Sequence, residues 1–491
     1  MLEAHALDRF LKDRTLQLFS CLALALILRG SKFGDPNVHI DEAFYLLVGH
    51  QMHLGAVPYV DIWDRKPLGL FIAYWLFACF GDGVLAYQLA AWVFAAVTAF
   101  VLYLIAARWM SPLAAVIASI LYLVGVGGLG GAGGQSPIFY NLFIASGALL
   151  VLQYVEGGKA WRLYAAMLLL GVAITFKQTA AFEAAFLGLW ALRHHRDWRI
   201  AAIQIGIGLS PFAAIAGWYA LAGHWPELYY AMVTANLAKA PSSLHAKALQ
   251  IALMMVVIGP LIAVAVYSFR NSLEKSARLF TGAWLLAALV ACAAPGNFFD
   301  HYALPALMPL AIIAAPACVR LPAGPILFML SIAGPLGMTA PWDFAVHRES
   351  RHQFERMVHA IGPLRPGAHI LIAEGPPLLY RATGAALMSP MVFPGHLTEG
   401  GEKDAWPVKT SAEIDRMLAM RPSAIIMRAE RINGGNQETI TQLLNYARAN
   451  CRAPVLAKTF TLAHTEIEDL VFAGCSESPR PASTQSPVGD R

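Results

Sequence analysis

Residues 39–69, HIDEAFYLLVGHQMHLGAVPYVDIWDRKPLG, form a charged segment within a part of the sequence that is otherwise mostly apolar. Asp41, Glu42, Asp61, Asp64 and Lys66 all lie within this segment. Charged groups at membrane depth carry a high energetic cost, so a membrane protein that contains them usually uses them for function. The segment therefore indicates a functional site, and the surrounding sequence must explain how that site is positioned.

The composition of the chain predicts a polytopic membrane protein. The sequence has 491 residues, of which 57% are hydrophobic and only 14% are charged, and its mean hydropathy is +0.54. Soluble globular proteins carry about 25% charged residues, so a soluble enzyme is excluded. The net charge of +5 comes from short basic clusters between apolar runs, a pattern typical of membrane topology. No basic patch with interleaved aromatic residues indicates nucleic-acid binding.

Apolar runs long enough to cross a bilayer, at about 17–25 residues each, predict about eleven transmembrane helices. They lie near residues 15–30, 84–107, 111–129, 138–155, 161–176, 178–193, 199–222, 247–269, 279–295, 302–318 and 323–340. The stretch PLGLFIAYWLFACF (67–80) is too short to span comfortably. Its aromatic residues are typical of a helix that lies in the membrane interface.

The distribution of lysine and arginine predicts the orientation of the chain. These residues cluster at the N-terminus and then in every second loop, near residues 108, 159–162, 193–199, 270–278 and 320. Basic loops remain in the cytoplasm, so the N-terminus is expected inside, with the first helix retained and not cleaved as a signal peptide. The first outer loop (31–83) and the region after residue 345 are expected outside a bacterial-type inner membrane.

The composition changes near residue 345, which predicts a transmembrane module (1–344) and an extracytoplasmic α/β domain (345–475). HILIAEG and SAIIMRA read as buried strands, and TSAEIDRMLAM and QETITQLLNYARAN have helical apolar spacing. The tail 476–491 has the composition of a disordered segment. Cys451 and Cys475 lie in the exported domain and are disulfide candidates, since that compartment is oxidising. No CxxC or histidine–cysteine cluster indicates a structural metal.

The charged segment resembles the first outer loop of GT-C glycosyltransferases in the protein-mannosyltransferase-like group. That group includes the aminoarabinose lipid A transferases and the rhizobial galacturonosyl transferases, and its pattern is D-E-x-x-Y, then G-x-x-P-Y-x-D-x-W-D-x-K-P-P-G. Leu68 replaces the second proline, and the matching positions are Asp41, Glu42, Tyr45, Gly55, Pro58, Tyr59, Asp61, Trp63, Asp64, Lys66, Pro67 and Gly69. Weaker similarity extends to GVAITFKQTA (171–180), HYALPALMPL (301–310) and FPGHLTE (393–399).

The sequence departs from this group in the next outer loop, GGLGGAGGQSPIFYN (127–141). Many members of the group carry an acidic residue there, often in an N-T-E triplet. Gln135, Ser136 and Pro137 occupy the equivalent positions, so the second acid of the group is missing. Two alternatives stay open at this point: Glu42 or Asp64 takes the role of the missing acid, or the reaction does not need a second acid.

The resemblance implies a polytopic α-helical membrane protein of the GT-C type with a small extracytoplasmic α/β domain. It also implies transfer of a sugar, with inversion, from a polyprenyl-phosphate-sugar donor to lipid A, another glycan or a protein. Asp41 is the expected base, and Glu42 and Asp64 are the further catalytic residues, expected to tune or orient it. A leaving phosphate needs positive charge, which lysines supply. The residues expected to bind substrate are Tyr45, Tyr59, Asp61, Lys66, Lys177, His301 and Tyr302. No cofactor is expected to be required, and a divalent cation is left open.

Simpler explanations compete with these assignments. Asp61 and Asp64 are also consistent with solvated loop charges or helix caps, and Lys177 with a side chain that reaches from the bilayer to the interface. The rival function for the whole chain is a transporter or flippase of a lipid-linked solute. No internal repeat in the sequence supports that alternative.

Overall fold

The computed structural model describes residues 10–81, 83–193, 197–238, 243–429, 434–460 and 466–475. The proposed tail, 476–491, lies outside the described residues, as do the first nine residues of the chain.

Each of the eleven predicted membrane segments coincides with a helix of the structure. These helices are Arg14–Arg29, Leu85–Ala106, Pro112–Gly128, Ser136–Val155, Ala160–Phe176, Ala180–Leu192, Trp198–Leu221, Leu244–Asn271, Lys275–Ala293, Leu304–Arg320 and Gly324–Thr339. In the described part of the chain, 8 helices are long and apolar enough to cross a membrane. The segments 112–128, 160–176 and 180–192 form shorter apolar helices, so the number of crossings stays a prediction.

Several helices begin where an apolar run begins in the sequence, and a polar N-cap residue or a proline marks the first turn. Asp13 Oδ1 accepts hydrogen bonds from the backbone N–H groups of Thr15 and Leu16, at 2.9 and 3.1 Å. Ser111 caps the helix Pro112–Gly128, whose first residue is proline, the residue favoured at that position. The helix Leu304–Arg320 is buried along almost its whole length, which places it at the centre of the bundle.

The first outer loop folds into two helices, Ile40–His53 and Leu68–Ala78, that pack against each other. A Cβ atom at Gly49 would lie 2.7 Å from the Tyr74 carbonyl, and one at Gly69 would overlap Thr175. Only glycine allows this close an approach of the backbones. The eleven residues of the second helix are too few to span a bilayer, as the sequence predicts. The loop is thereby held against one end of the helix bundle.

The C-terminal region contains the predicted α/β unit. Its sheet has the order β1-β2-β4-β3, where the strands are β1 (Ile370–Ile372), β2 (Ala424–Arg428), β3 (Val455–Phe460) and β4 (Glu466–Ala473). The pair β1–β2 is parallel, and β4 is antiparallel to both of its neighbours. The predicted helices occupy Thr410–Ala419 and Gln437–Asn450, and the amphipathic helix Phe344–Ile361 packs on β3 and β4. The domain boundaries stay predictions.

The structure joins Cys451 and Cys475 in a disulfide, the pairing that the sequence offers as a candidate. Cys451 follows the helix Gln437–Asn450 and Cys475 follows β4, so the bond ties the last helix to the last strand.

The remaining short helices are Trp225–Tyr229, Tyr230–Thr234, Ala235–Leu237, Leu379–Thr383 and Gly395–Thr398, with 3₁₀ turns at Gly30–Lys32, Asp300–Ala303 and Gly400–Glu402.

The C-terminal region contacts the first outer loop directly. The backbone N–H of Trp63 donates to the Pro390 carbonyl at 2.9 Å, and Arg65 forms a buried ion pair with Glu402. The Trp63 indole also packs on His396, with ring centres 4.7 Å apart. These contacts cover the charged loop from the side opposite the bundle.

Candidate active site

Asp41 lies in the first turn of the helix Ile40–His53, whose N-cap is His39. The Nδ1 atom of His39 accepts from the backbone N–H of Asp41 at 3.2 Å and from the side-chain amide of Gln135 at 2.8 Å. A ring nitrogen that accepts carries no proton, so His39 is the neutral tautomer with its proton on Nε2. The cap therefore fixes both the helix start and the histidine ring.

The Asp41 carboxylate is half-buried and has two polar neighbours. Its Oδ2 accepts from the Tyr45 hydroxyl and from the Gln135 amide, each at 3.3 Å. Burial raises the pKa of Asp41, but the charge of the nearby Lys66, assisted by the hydrogen bond from Gln135, opposes burial and holds this pKa below its usual range. Asp41 is therefore ionised at neutral pH in the structure.

Lys66 supplies the positive charge next to Asp41. Burial lowers the pKa of Lys66, but Asp64 and Asp41 outweigh burial and the net pKa is raised. Its ammonium lies 5.7 Å from the centre of the Tyr45 ring. The Tyr59 hydroxyl donates to the Lys66 carbonyl at 2.8 Å. Tyr59 itself is buried, so it positions the lysine from behind.

A second lysine approaches from the bundle. Lys177 is the C-cap of the helix Ala160–Phe176, and its Nζ lies 3.7 Å from the centre of the Tyr302 ring. His301 is buried beside Tyr302, with ring centres 4.8 Å apart, and its ring lies 5.9 Å from that of His39. Tyr302 is also within the electrostatic field of Lys66. The ends of two bundle helices thus meet the first outer loop of the sequence prediction around Asp41.

Glu42 points away from this group towards the glycine-rich loop 127–134. It is completely buried, and a Cβ at Gly133 would overlap its carboxylate. Burial is the largest influence and raises the pKa of Glu42 to about 7, although His39, the Gly134 backbone and Arg29 oppose the shift. Glu42 therefore packs against the glycine-rich loop, next to the turn that carries Asp41.

The remaining predicted residues separate into a buried and an exposed group. Asp64 is buried and accepts from the backbone N–H of Arg65, and its charge acts on Lys66. Asp61 is exposed, and its Oδ2 accepts from the backbone N–H of Val57 at 2.7 Å. The structure therefore brings Asp64 into the candidate site. It places Asp61 in a surface turn, in agreement with the simpler interpretation of Asp61 as a solvated loop charge.

Two residues of the site region are not among the sequence-based candidates. Arg29 is buried and donates to the carbonyl oxygens of Gly131 and Gly133, so it holds the glycine-rich loop. A cationic residue at the predicted outer end of the first span runs against the positive-inside pattern, and this departure is a sequence signal for Arg29. His39 had no signal beyond its place before the acidic pair. Among the described residues, no group of three or more His, Cys, Asp or Glu side chains is arranged to hold a metal ion.

Comparison with known proteins identifies the class of fold to which this chain is similar. Residues 64–222 match the family model described as dolichyl-phosphate-mannose-protein mannosyltransferase. ArnT from Cupriavidus metallidurans is similar in its undecaprenyl phosphate complex, with a TM-score of 0.62, 13% identity and coverage of 95% of this chain and 99% of ArnT. Its apo structure gives a TM-score of 0.64, 14% identity and coverage of 94% and 98%.

A more distant similarity is to the apo oligosaccharyltransferase of Archaeoglobus fulgidus, with a TM-score of 0.53, 10% identity and coverage of 96% of this chain and 75% of that one. No protein with a curated function matches the sequence. The chain is a multi-pass membrane protein with the GT-C fold. The predicted resemblance to the protein-mannosyltransferase-like group of glycosyltransferases is confirmed.

Proposed function

We propose that this protein is an inverting glycosyltransferase that moves a sugar from a polyprenyl-phosphate-sugar donor to an acceptor at the outer face of the inner membrane. The observation that supports this most is the site around Asp41. An ionised carboxylate lies in the field of Lys66, and Lys177 lies over the Tyr302 ring nearby. The three charged groups lie where the outer loop meets the bundle.

The reaction follows from the charges of these groups. An acceptor hydroxyl gives its proton to Asp41 as its oxygen bonds to the anomeric carbon of the donor sugar. The bond from that carbon to the phosphate oxygen breaks on the opposite face, and the electron pair leaves with the polyprenyl phosphate. One displacement inverts the anomeric centre, and a base of this kind typically contributes about 10²–10⁴-fold to the rate.

Lys66 and Lys177 suit the leaving group. A phosphate monoester gains negative charge as it departs, so fixed cations stabilise the transition state more than the ground state. A bound donor phosphate also offsets the charge of Lys66, which is a main reason why the pKa of Asp41 is low. Donor binding therefore raises the basicity of Asp41 at the moment when a base is needed.

Gln135 lies in the sequence positions where many members of the group carry their second acidic residue. Its amide donates to Asp41 and to His39 at the same time, so it orients the base without adding a second negative charge. A carboxylate at this position would repel Asp41. In this proposal the role of the second acid is replaced by hydrogen bonding.

The donor class is supported by the ArnT structure of similar fold that was determined with undecaprenyl phosphate. The proposal covers transfer of either a hexose or a pentose. It also covers lipid A, another glycan or a protein as the acceptor. Mass spectrometry of envelope glycans from a strain lacking the protein would identify the product.

One experiment separates glycosyl transfer from transport. The purified protein is placed in proteoliposomes with an isolated polyprenyl-phosphate-sugar fraction and extracted envelope acceptor, without nucleotide sugar or ATP. Covalent appearance of the sugar on the acceptor, with inverted configuration, is expected. Movement of the lipid-linked sugar across the bilayer with no covalent product would support the transporter instead.

A further inference from the structure

A cavity of about 370 Å³ lies between the C-terminal sheet and the first outer loop, within the size range of small-ligand sites. One wall is the segment that leads into the helix Ile40–His53, including His39, and the other comes from β2, β3 and β4. His39 also bonds to the Asp41 backbone. The cavity therefore adjoins the candidate base on the side of the C-terminal domain.

Asp469 is the main polar group of the sheet wall. It is 1% exposed, and its Oδ2 accepts from the Thr459 hydroxyl at 3.0 Å. Its Oδ1 is buried without a hydrogen-bond partner, a costly state unless a ligand supplies one. Burial raises the pKa of Asp469 to about 7, so near neutral pH the carboxyl group can accept from a hydroxyl or donate to one.

Arg428 does not make the cavity an anion site. Its guanidinium lies 3.4 Å from Glu374, whose carboxylate also accepts from the Thr398 hydroxyl. Arg428 is therefore already matched by one acid, and Asp469 and Asp300 add further acidic groups to the lining. The Nε of Arg428 is buried without a partner, which leaves one N–H donor for a ligand oxygen.

The same cavity has an apolar side, to which Phe460 and Ile467 contribute. Carboxyl groups and hydroxyls beside an aromatic ring match a sugar, which has hydroxyls at its edge and C–H groups on its face. We propose that this cavity binds an uncharged sugar unit of the acceptor through Asp469, Thr459 and Arg428, and selects against a phosphorylated one. This inference rests on the proposed glycosyltransferase function, which it deepens by naming the class of acceptor.

The position of the lysines separates this cavity from the donor phosphate. Neither Lys66 nor Lys177 lines it, although both lie close to Tyr302. A phosphate-linked donor is expected on the lysine side of Asp41, and an acceptor sugar on the His39 side. A hydroxyl presented from the cavity then approaches the base while the donor lies across from it.

The test measures binding, so it does not depend on turnover. Saturation-transfer NMR on the full chain in detergent uses methyl glycosides of glucose, galactose and mannose as probes, with glucose 6-phosphate as the charged comparison. At least one glycoside should bind, and the phosphate should not. Asp469→Asn should weaken that binding about fivefold, the size expected for one hydrogen bond, and Phe460→Leu should weaken it through lost contact.

Glu466→Gln is the matched control, because Glu466 is an exposed acid of the same strand that pairs with Lys458 at 2.6 Å; it should bind glycoside normally. Undecaprenyl phosphate binding is measured on every variant to show that it is folded. Equal binding of the phosphate, unchanged binding in Asp469→Asn and Phe460→Leu, or no glycoside binding by a protein that binds undecaprenyl phosphate would each overturn this inference. The transfer assay in proteoliposomes decides the proposed function separately.

Discussion

Lys177 Nζ lies 3.7 Å from the centre of the Tyr302 ring, a cation–π contact at the end of the helix bundle that meets the charged segment 39–69. Contacts of this kind are worth about 0.5–2 kcal/mol, so the ring holds the ammonium in a defined place. A lysine that only reached towards the headgroups would have no such fixed partner. The contact therefore favours a role in binding the donor phosphate.

We expect Lys177→Met to weaken binding of undecaprenyl phosphate about tenfold, because one charge-assisted hydrogen bond to phosphate is lost. Lys177→Arg should retain part of the affinity, since the charge persists while the donor geometry differs. Titration of the purified variants with a fluorescent undecaprenyl phosphate analogue measures both effects. Unchanged affinity in Lys177→Met would return this lysine to the role of an interfacial anchor.

The buried Glu42 predicts a pH dependence of stability. Its pKa is raised from 4.5 to about 7 by burial, so the folded protein binds this proton more tightly than the unfolded chain does. The favourable contribution is complete below pH 4.5 and is lost as the pH rises through 7, with a span of about 3 kcal/mol. Wild-type protein should therefore lose thermal stability between about pH 4.5 and pH 7.

Glu42→Gln removes the titration while keeping the shape of the side chain. We expect its Tm to fall less than that of the wild type over the same pH interval. Glu355→Gln changes an exposed acid and should behave like the wild type. Parallel Tm profiles for all three proteins would show that the Glu42 carboxyl does not change its protonation between these pH values.

The disulfide between Cys451 and Cys475 closes a loop with a sequence separation of 24 residues. Cys475→Ala should lower the free energy of unfolding of the C-terminal domain by about 3 kcal/mol. Differential scanning fluorimetry with and without reductant measures the loss, and Cys79→Ser, at an exposed free cysteine, is the control. If mass spectrometry under non-reducing conditions found free thiols at positions 451 and 475, the disulfide would be absent and the prediction would be wrong.

The orientation of the chain is tested at Met420, which is exposed in the C-terminal domain. In a Cys79→Ser background, Met420→Cys should react with a membrane-impermeant maleimide added to intact spheroplasts, because the domain is expected outside. A cysteine introduced at Lys12, near the N-terminus, should react only after permeabilisation. Labelling of position 420 only after permeabilisation would reverse the predicted orientation.

Periodic and local features of the sequence predict most of the fold. All eleven apolar runs become helices, and the segments 369–375 and 423–429 contain β1 and β2. The first strand of the hairpin, Val455–Phe460, escapes prediction because two of its residues are exposed, only one is buried, and it carries no run of buried residues. The helix Phe344–Ile361 is not predicted, because its high density of charged residues indicates the composition change near residue 345 and hides the helical spacing.

The site is only partly predictable for a different reason. The motif in 39–69 identifies Asp41, Lys66 and Asp64, but the partners that define their chemistry come from distant parts of the chain. Gln135 is 94 residues from Asp41, and Arg29 reaches a loop 102 residues away. Such contacts depend on how the helices pack, which periodicity does not encode. Asp61 shows the converse: it matches the motif, yet the structure places it in a surface turn.

Asp41→Asn tests the central claim most directly, because the substitution keeps the shape of the side chain and removes its charge. Asp415→Asn, at an exposed acid on the helix Thr410–Ala419, is the matched control. Sugar transfer to a hydroxyl acceptor is measured in proteoliposomes, with binding of undecaprenyl phosphate measured on the same preparations. We expect Asp41→Asn to lose at least about a hundredfold in transfer rate with donor binding largely intact, while Asp415→Asn is unaffected. Near-normal turnover of Asp41→Asn on a hydroxyl acceptor would contradict the account and leave Asp41 as a helix-terminal residue only.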